Sequence, residues 1–138
     1  MESRFTIHAA PTGKARPRVT SHGTYTPRET RDFEHLVRME YRLQGGKHFG
    51  GNPVAVYITA GFAIPKGTAR YKIPAMLAGK IEPTKKPDAD NIAKAICDAL
   101  NGIAYDDDAQ ITELHVRKIY AEEAAIKVQI VRTEVTVP

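Results

Sequence analysis

Polar and apolar positions alternate from the start of the chain. Phe5, Ile7 and Ala9 are separated by Thr6 and His8, the period of a half-buried strand. Pro11 ends that run, and Gly13, Pro17, Gly23 and Pro27 mark residues 12–28 as a loop or extended arm. Helical spacing follows: Phe33, Leu36, Val37 and Tyr41 share one face of a helix predicted from an N-cap at Thr30 to about Gln44, with Gly45-Gly46 as its stop. Val54, Val56, Ile58 and Ala60 return to strand alternation. The stretch from Phe62 to Pro87 is weakly patterned, with a short helix over Ile73–Lys80. A connection of that length is more often functional than idle.

The next helix is clearer. Ile92, Ala95, Ile96, Ala99 and Leu100 form its apolar stripe, Asp90 or Asn91 is placed to cap it, and Gly102 closes it. Ile111–Tyr120 reads as a strand, residues 121–124 as a turn, and Ile126, Val128 and Ile130 as a returning strand. The predicted order is β-α-β-α-β-β, an α/β (α+β) fold in which helices pack on a mixed sheet. With no repeat, low-complexity tract or boundary, residues 1–138 are expected to form a single domain.

Composition adds constraints. Hydrophobic content of 42% and charged content of 26% are ordinary for a globular protein, which argues against general disorder. The longest uncharged apolar run, Pro53 to Pro65, falls short of the roughly 20 residues that span a bilayer. Met1-Glu2-Ser3-Arg4 leads directly into the first strand with no secretory pattern, so a cytoplasmic, membrane-free protein is expected. A lone cysteine, Cys97, excludes an internal disulfide and reads as a packed core thiol.

Charge is unevenly spread. Residues 1–87 hold 15 Lys/Arg against 6 Asp/Glu, whereas residues 88–138 hold 5 against 10. The first part suits a polyanion, and the second repels one unless a cation intervenes. Two solvated faces of opposite sign would give the same count.

The acids are concentrated. Asp88 and Asp90 open the third predicted segment's helix, and Asp106-Asp107-Asp108 precede the strand at Ile111. Carboxylates so crowded repel one another unless neutralised. Hard divalent cations take oxygen ligands, and they align a nucleophile and offset charge in phosphodiester cleavage. If the acidic run is extended, Asp106 and Asp108 point to one side and Asp107 to the other. Lys94, one turn beyond Asp90 and off the apolar stripe, either faces a phosphate beside these acids or forms an ordinary pair with Asp90 or Asp98. The helix opening lacks the ligands of an EF-hand, the five histidines show no zinc-protease spacing, and no Walker-type loop occurs.

Taken together, Lys86-Pro87-Asp88-Ala89-Asp90-Asn91-Ile92-Ala93-Lys94, Asp98 through Gly102 and Tyr105 through Ile111 closely resemble the signature of the RusA-type Holliday junction resolvases. Lys14-Ala15-Arg16-Pro17-Arg18 and Tyr25-Thr26-Pro27 are similar to that family's N-terminal pattern, so the resemblance spans nearly the whole chain. It implies a Mg²⁺-dependent homodimeric endonuclease, Mn²⁺ being a substitute, that resolves four-way DNA junctions by paired symmetric nicks in recombination and repair. Such proteins are common in prophages and phages.

Carried onto this chain, the resemblance implies catalytic Asp88, Asp90, Lys94 and Asp108, with the three aspartates as metal ligands. Asp108 is taken as the last acid because Ala109-Gln110-Ile111 follows it; Asp107 then stands beside the site, and Asp106 is an extra acid that permits a one-residue slip. Lys14, Arg16, Arg18 and Lys86 are expected to contact DNA phosphates, with Tyr25 stacking on an exposed base. Two other functions fit the same residues: nuclease action on other branched DNA, and junction binding without catalysis.

Overall fold

The computed structural model describes residues 1–133. Six strands and three helices follow in the order β1 (Glu2–Ile7), β2 (Arg18–Thr20), β3 (Gly23–Tyr25), α1 (Arg28–Leu43), β4 (Val54–Ala63), α2 (Ile73–Leu77), α3 (Ala89–Ala99), β5 (Ile111–Ala121) and β6 (Ala125–Arg132). Four of the strands form one sheet in the order β1-β6-β4-β5. β6 runs antiparallel to both β1 and β4, and β5 lies parallel to β4. The mixed sheet expected from the alternation is therefore present, as are the two principal helices.

Two parallel neighbours cannot be joined by a hairpin, so the chain between β4 and β5 makes a long crossover. That crossover, residues 64–110, carries both acidic motifs. Its α3 packs beside α1 on one face of the sheet. Ile92, Ala95, Ile96 and Ala99 of α3 and Phe33, Val37 and Tyr41 of α1 are buried against Phe5, Ile7, Val56, Ile58, Ile126, Val128 and Ile130 of the strands. Burying these side chains is the main stabilising term, each full-sized aliphatic contributing about 1.5–3 kcal/mol.

Three local expectations are corrected. The segment 12–28 contains the β2–β3 hairpin, whose residues are all exposed. Helix α1 starts at Arg28 after Pro27, and Thr30 is buried within its first turn, where its hydroxyl accepts the Ala15 N–H at 3.2 Å. Asp88, rather than Asp90 or Asn91, is the N-cap residue of α3, and its side chain makes no capping bond. Among the described residues no helix is long and apolar enough to cross a membrane.

Candidate active site

Helix α3 is two-faced. Its apolar positions point into the core, while Asp90, Lys94 and Asp98 follow one another at four-residue spacing and emerge on a single side. These three line a cleft of about 420 Å³ with Ala93, Cys97, Asp108, Ile111 and Leu114. Asp90, Lys94 and Asp108, separated in sequence, thus meet across one concavity. Among the described residues Lys94 enters no ion pair, so the alternative of a helical pair with Asp90 or Asp98 finds no support.

The far wall of the cleft is built by the end of α3. Gly102, at φ +75°, reverses the chain after the helix, a backbone conformation suited to glycine. The return brings Asp108 back alongside Asn101, whose side-chain oxygen accepts the Asp108 backbone N–H at 2.7 Å. Tyr105 secures the turn from beneath, its buried hydroxyl donating to the Cys97 carbonyl at 2.6 Å.

The acidic run is not an extended lead-in to the strand, as alternation implied. Asp108–Gln110 form a single 3₁₀ turn. Asp107 caps it, accepting the Ala109 N–H at 3.0 Å, while Gln110 Oε1 accepts the Asp107 N–H at 2.8 Å. The Gln110 amide also donates to the carbonyls of Gly50 at 2.6 Å and Asn52 at 2.8 Å. The glutamine of the motif is therefore a bracket for the acid turn.

Each acid of the run has a separate partner. Asp106 points away toward His48, whose Nε2 lies 3.0 Å from Asp106 Oδ1 while Nδ1 lies 2.9 Å from the Ile103 carbonyl. The Ile103 carbonyl and then Asp106 raise the His48 pKa above its ordinary value. Asp107, held by the Ala109 N–H, is kept below the usual carboxylate range. Asp108 alone faces the cleft, where burial and then its neighbours Asp107 and Asp98 push its pKa upward. A carboxylate made uncomfortable by nearby negative charge is one that a cation would stabilise.

The remaining sequence-predicted residues are distributed around this centre. Asp88 does not line this cleft; it lies on a separate one of about 450 Å³, with Lys86, Pro87, Asn91 and the segment Pro11–Lys14. Arg16, Arg18 and Lys86 are exposed, and Tyr25 on the hairpin is 46% exposed. Lys14 is turned inward: its ammonium sits 3.1 Å from both Glu34 oxygens and 3.5 Å from Asp98 Oδ2. Cys97 borders the cleft, yet burial pushes its thiol up to about 12, which leaves it protonated.

Sequence reasoning missed Asp98 as a member of the cleft, together with the supporting roles of Asn101, Glu34 and His48. The spacing of Asp90, Lys94 and Asp98 was the available signal for Asp98.

Among the described residues no three His, Cys, Asp or Glu side chains are gathered into a ready-made metal cluster. The donors that do face the cleft are carboxylate oxygens, the chemistry of a hard divalent cation. Magnesium requires no complete protein cage, since it keeps several waters and commonly takes one or two carboxylates. Asp90 and Asp108 are suited to that demand, with Asp88 at the head of the same helix.

The family model described as endodeoxyribonuclease RusA matches residues 8–131. The chain is also 30% identical over 133 residues, covering 92% of its own length and 94% of the relative, to the uncharacterized protein YqaN of Bacillus subtilis (strain 168). The match takes in the arm, both acidic motifs, β4, β5 and all but the last residue of β6, with β1 outside it, and the chain belongs to the RusA family of endodeoxyribonucleases, enzymes of the Holliday junction resolvase type.

Proposed function

We propose that the protein is a Mg²⁺-dependent resolvase that acts as a homodimer and cuts a four-way DNA junction with paired, symmetric nicks. The observation that carries the reading is the cleft in which Asp90, Lys94 and Asp108 converge. Asp88, Asp90 and Asp108 would hold the metal, which when bound supplies a water of lowered pKa and neutralises charge at the phosphorus. Lys94, free of protein partners among the described residues, offers its ammonium to the non-bridging oxygens of the scissile phosphate. Arg16, Arg18 and Lys86 take the flanking phosphates, and Tyr25 stacks on an unpaired base at the branch.

The dimer follows from the substrate. A four-way junction has approximate two-fold symmetry and needs two incisions, so an isologous pair of subunits puts one site at each cut.

The test is a labelled four-way junction incubated with the protein in Mg²⁺ or in EDTA, beside flaps, forks and linear duplex of the same sequence. Symmetric nicks confined to the junction and to Mg²⁺ are expected. Asp90→Asn should retain junction binding and lose cleavage, and wild-type rates in that variant would sink the assignment. Preferential cutting of flaps or forks would move the activity to other branched DNA. Tight binding without nicks in Mg²⁺ or Mn²⁺ would make the protein a junction binder.

A further inference from the structure

The basic segment 14–18 holds one cation that does not face solvent. The Lys14 side chain is 18% exposed and that of its partner Glu34 is 12% exposed. Removing both charges from water is costly, and a lysine needed only to touch a phosphate gains nothing by incurring that penalty. The same ammonium reaches Asp98 on α3, so Lys14 bridges an acid on α1 and an acid in the cleft.

The backbone around Lys14 is fastened in the same two directions. Its N–H donates to the Asn91 carbonyl at 2.9 Å, inside the Asp88–Asn91 motif, and the next N–H donates to Thr30 of α1. Gly13 packs so closely on that motif that an added Cβ would lie 3.0 Å from Pro87 Cβ and 3.1 Å from Asn91 Cβ. The root of the hairpin arm is thereby seated on the acidic motif with no space for a side chain between them. Asp98, in turn, lines the same cleft as Asp90, Lys94 and Asp108.

We infer that Lys14 and Asp98 are positioning residues of the cleavage site: Lys14, clamped by Glu34, fixes Asp98 in the wall of the cleft that Asp90 and Asp108 share, while the arm root is held in register with that cleft. The inference rests on the resolvase reading and assigns Lys14 an internal role in place of a phosphate contact. Glu34, Lys14 and Asp98 form one continuous line from α1 to the cleft.

The experiment measures junction binding in Ca²⁺ across a salt series, single-turnover cleavage at saturating protein in Mg²⁺, and Mn²⁺ binding without DNA by electron paramagnetic resonance. The variants are Lys14→Met, Lys14→Arg and Asp98→Asn, with Arg16→Ala for comparison. A lost phosphate contact lowers the log–log salt slope by about 0.9, the result expected for Arg16→Ala. Lys14→Met should keep the wild-type slope while its cleavage rate at saturation falls by about 10- to 100-fold. Lys14→Arg should recover most of that rate, and Asp98→Asn should lose cleavage similarly and bind Mn²⁺ more weakly.

A reduced slope with an unchanged saturated rate in Lys14→Met would overturn the proposal, as would wild-type Mn²⁺ affinity in Asp98→Asn. Asp98→Asn leaves the Lys14–Glu34 pair intact, so it decides the matter even where Lys14→Met fails to fold. Absence of cleavage by the wild-type protein would defeat the resolvase reading instead, and the salt slope and Mn²⁺ binding would still judge this one.

Discussion

Asn101 Oδ1 accepts the backbone N–H of Asp108 at 2.7 Å, which joins the end of α3 to the first residue of the acid turn. Asp90 and Lys94 on that helix are rigidly placed, so the bond sets where Asp108 stands relative to them. Asn101→Ala removes the acceptor at a site that water can reach, and the expected loss of stability is about 0.5–1.5 kcal/mol. Displacing a reacting group by about 1 Å can cost on the order of 100-fold in rate, so cleavage should suffer more than folding. Thermal melts beside single-turnover cleavage check this; a large loss of stability with an unchanged rate would make Asn101 structural only.

The raised pKa of Asp108 fixes the sign of a metal effect. A carboxyl whose folded-state pKa lies above its unfolded value stabilises the fold below the unfolded value of about 3.9, and that contribution disappears as pH rises through the folded pKa. At neutral pH the ionised Asp108 therefore strains the metal-free protein. Mg²⁺ should raise the melting temperature at pH 7.5 and cease to do so as pH falls into the carboxylate range. Asp108→Asn should melt higher than wild type in EDTA at pH 7.5 while losing the response to Mg²⁺. A full Mg²⁺ response in that variant would remove Asp108 from the cation site.

His48 has the same sign of pH dependence, carried by a cation instead of a neutral acid. Its pKa is raised by the Ile103 carbonyl and Asp106, so its stabilisation is present below an unfolded value of about 6.5 and is lost as pH rises through the higher folded value. His48→Ala should flatten the dependence of melting temperature on pH between about 6 and 8. Because Asp106 is occupied by this pair, Asp106→Asn should still cleave junctions, whereas Asp108→Asn should not. Loss of cleavage in Asp106→Asn would shift the catalytic acid by two residues.

How much of this was legible depended on whether burial imposed a period. β1, β6 and the middle of β4, Val56 to Ala60, bury alternate residues and α1 and α3 bury a stripe, so those elements could be read directly from Phe5/Ile7, Val56/Ile58, Ile126/Val128, Phe33/Val37 and Ile92/Ile96. The β2–β3 hairpin buries nothing, so Val19, at 80% exposure, carried no periodic signal. Alternation also misled at Asp106–Asp108, because the capping bonds of Asp107 and Gln110 curl the run into a turn. Local sequence placed Asp90, Lys94 and Asp108 among the site candidates, but the inward turn of Lys14 depends on Glu34, twenty residues away, and only the packing of α1 against α3 brings them together.

Lys94 gives the sharpest separation of chemistry from folding. It is exposed, lies on the same helix face as Asp90 and Asp98, and enters no ion pair among the described residues. Lys94→Ala deletes no protein–protein contact of consequence, and alanine is the best helix former, so stability should change by less than about 0.5 kcal/mol. The cleavage rate should nevertheless fall by about 100- to 1,000-fold, the scale seen when one preorganised group facing developing charge is removed. Junction affinity measured in Ca²⁺ should weaken far less, since the remaining arginines and Lys86 still meet the backbone. Lys94→Arg keeps the charge but changes its reach and shape, and should restore binding more fully than catalysis. A variant that unfolds, or one that binds poorly yet cleaves normally at saturation, would place Lys94 among the structural or DNA-holding residues instead.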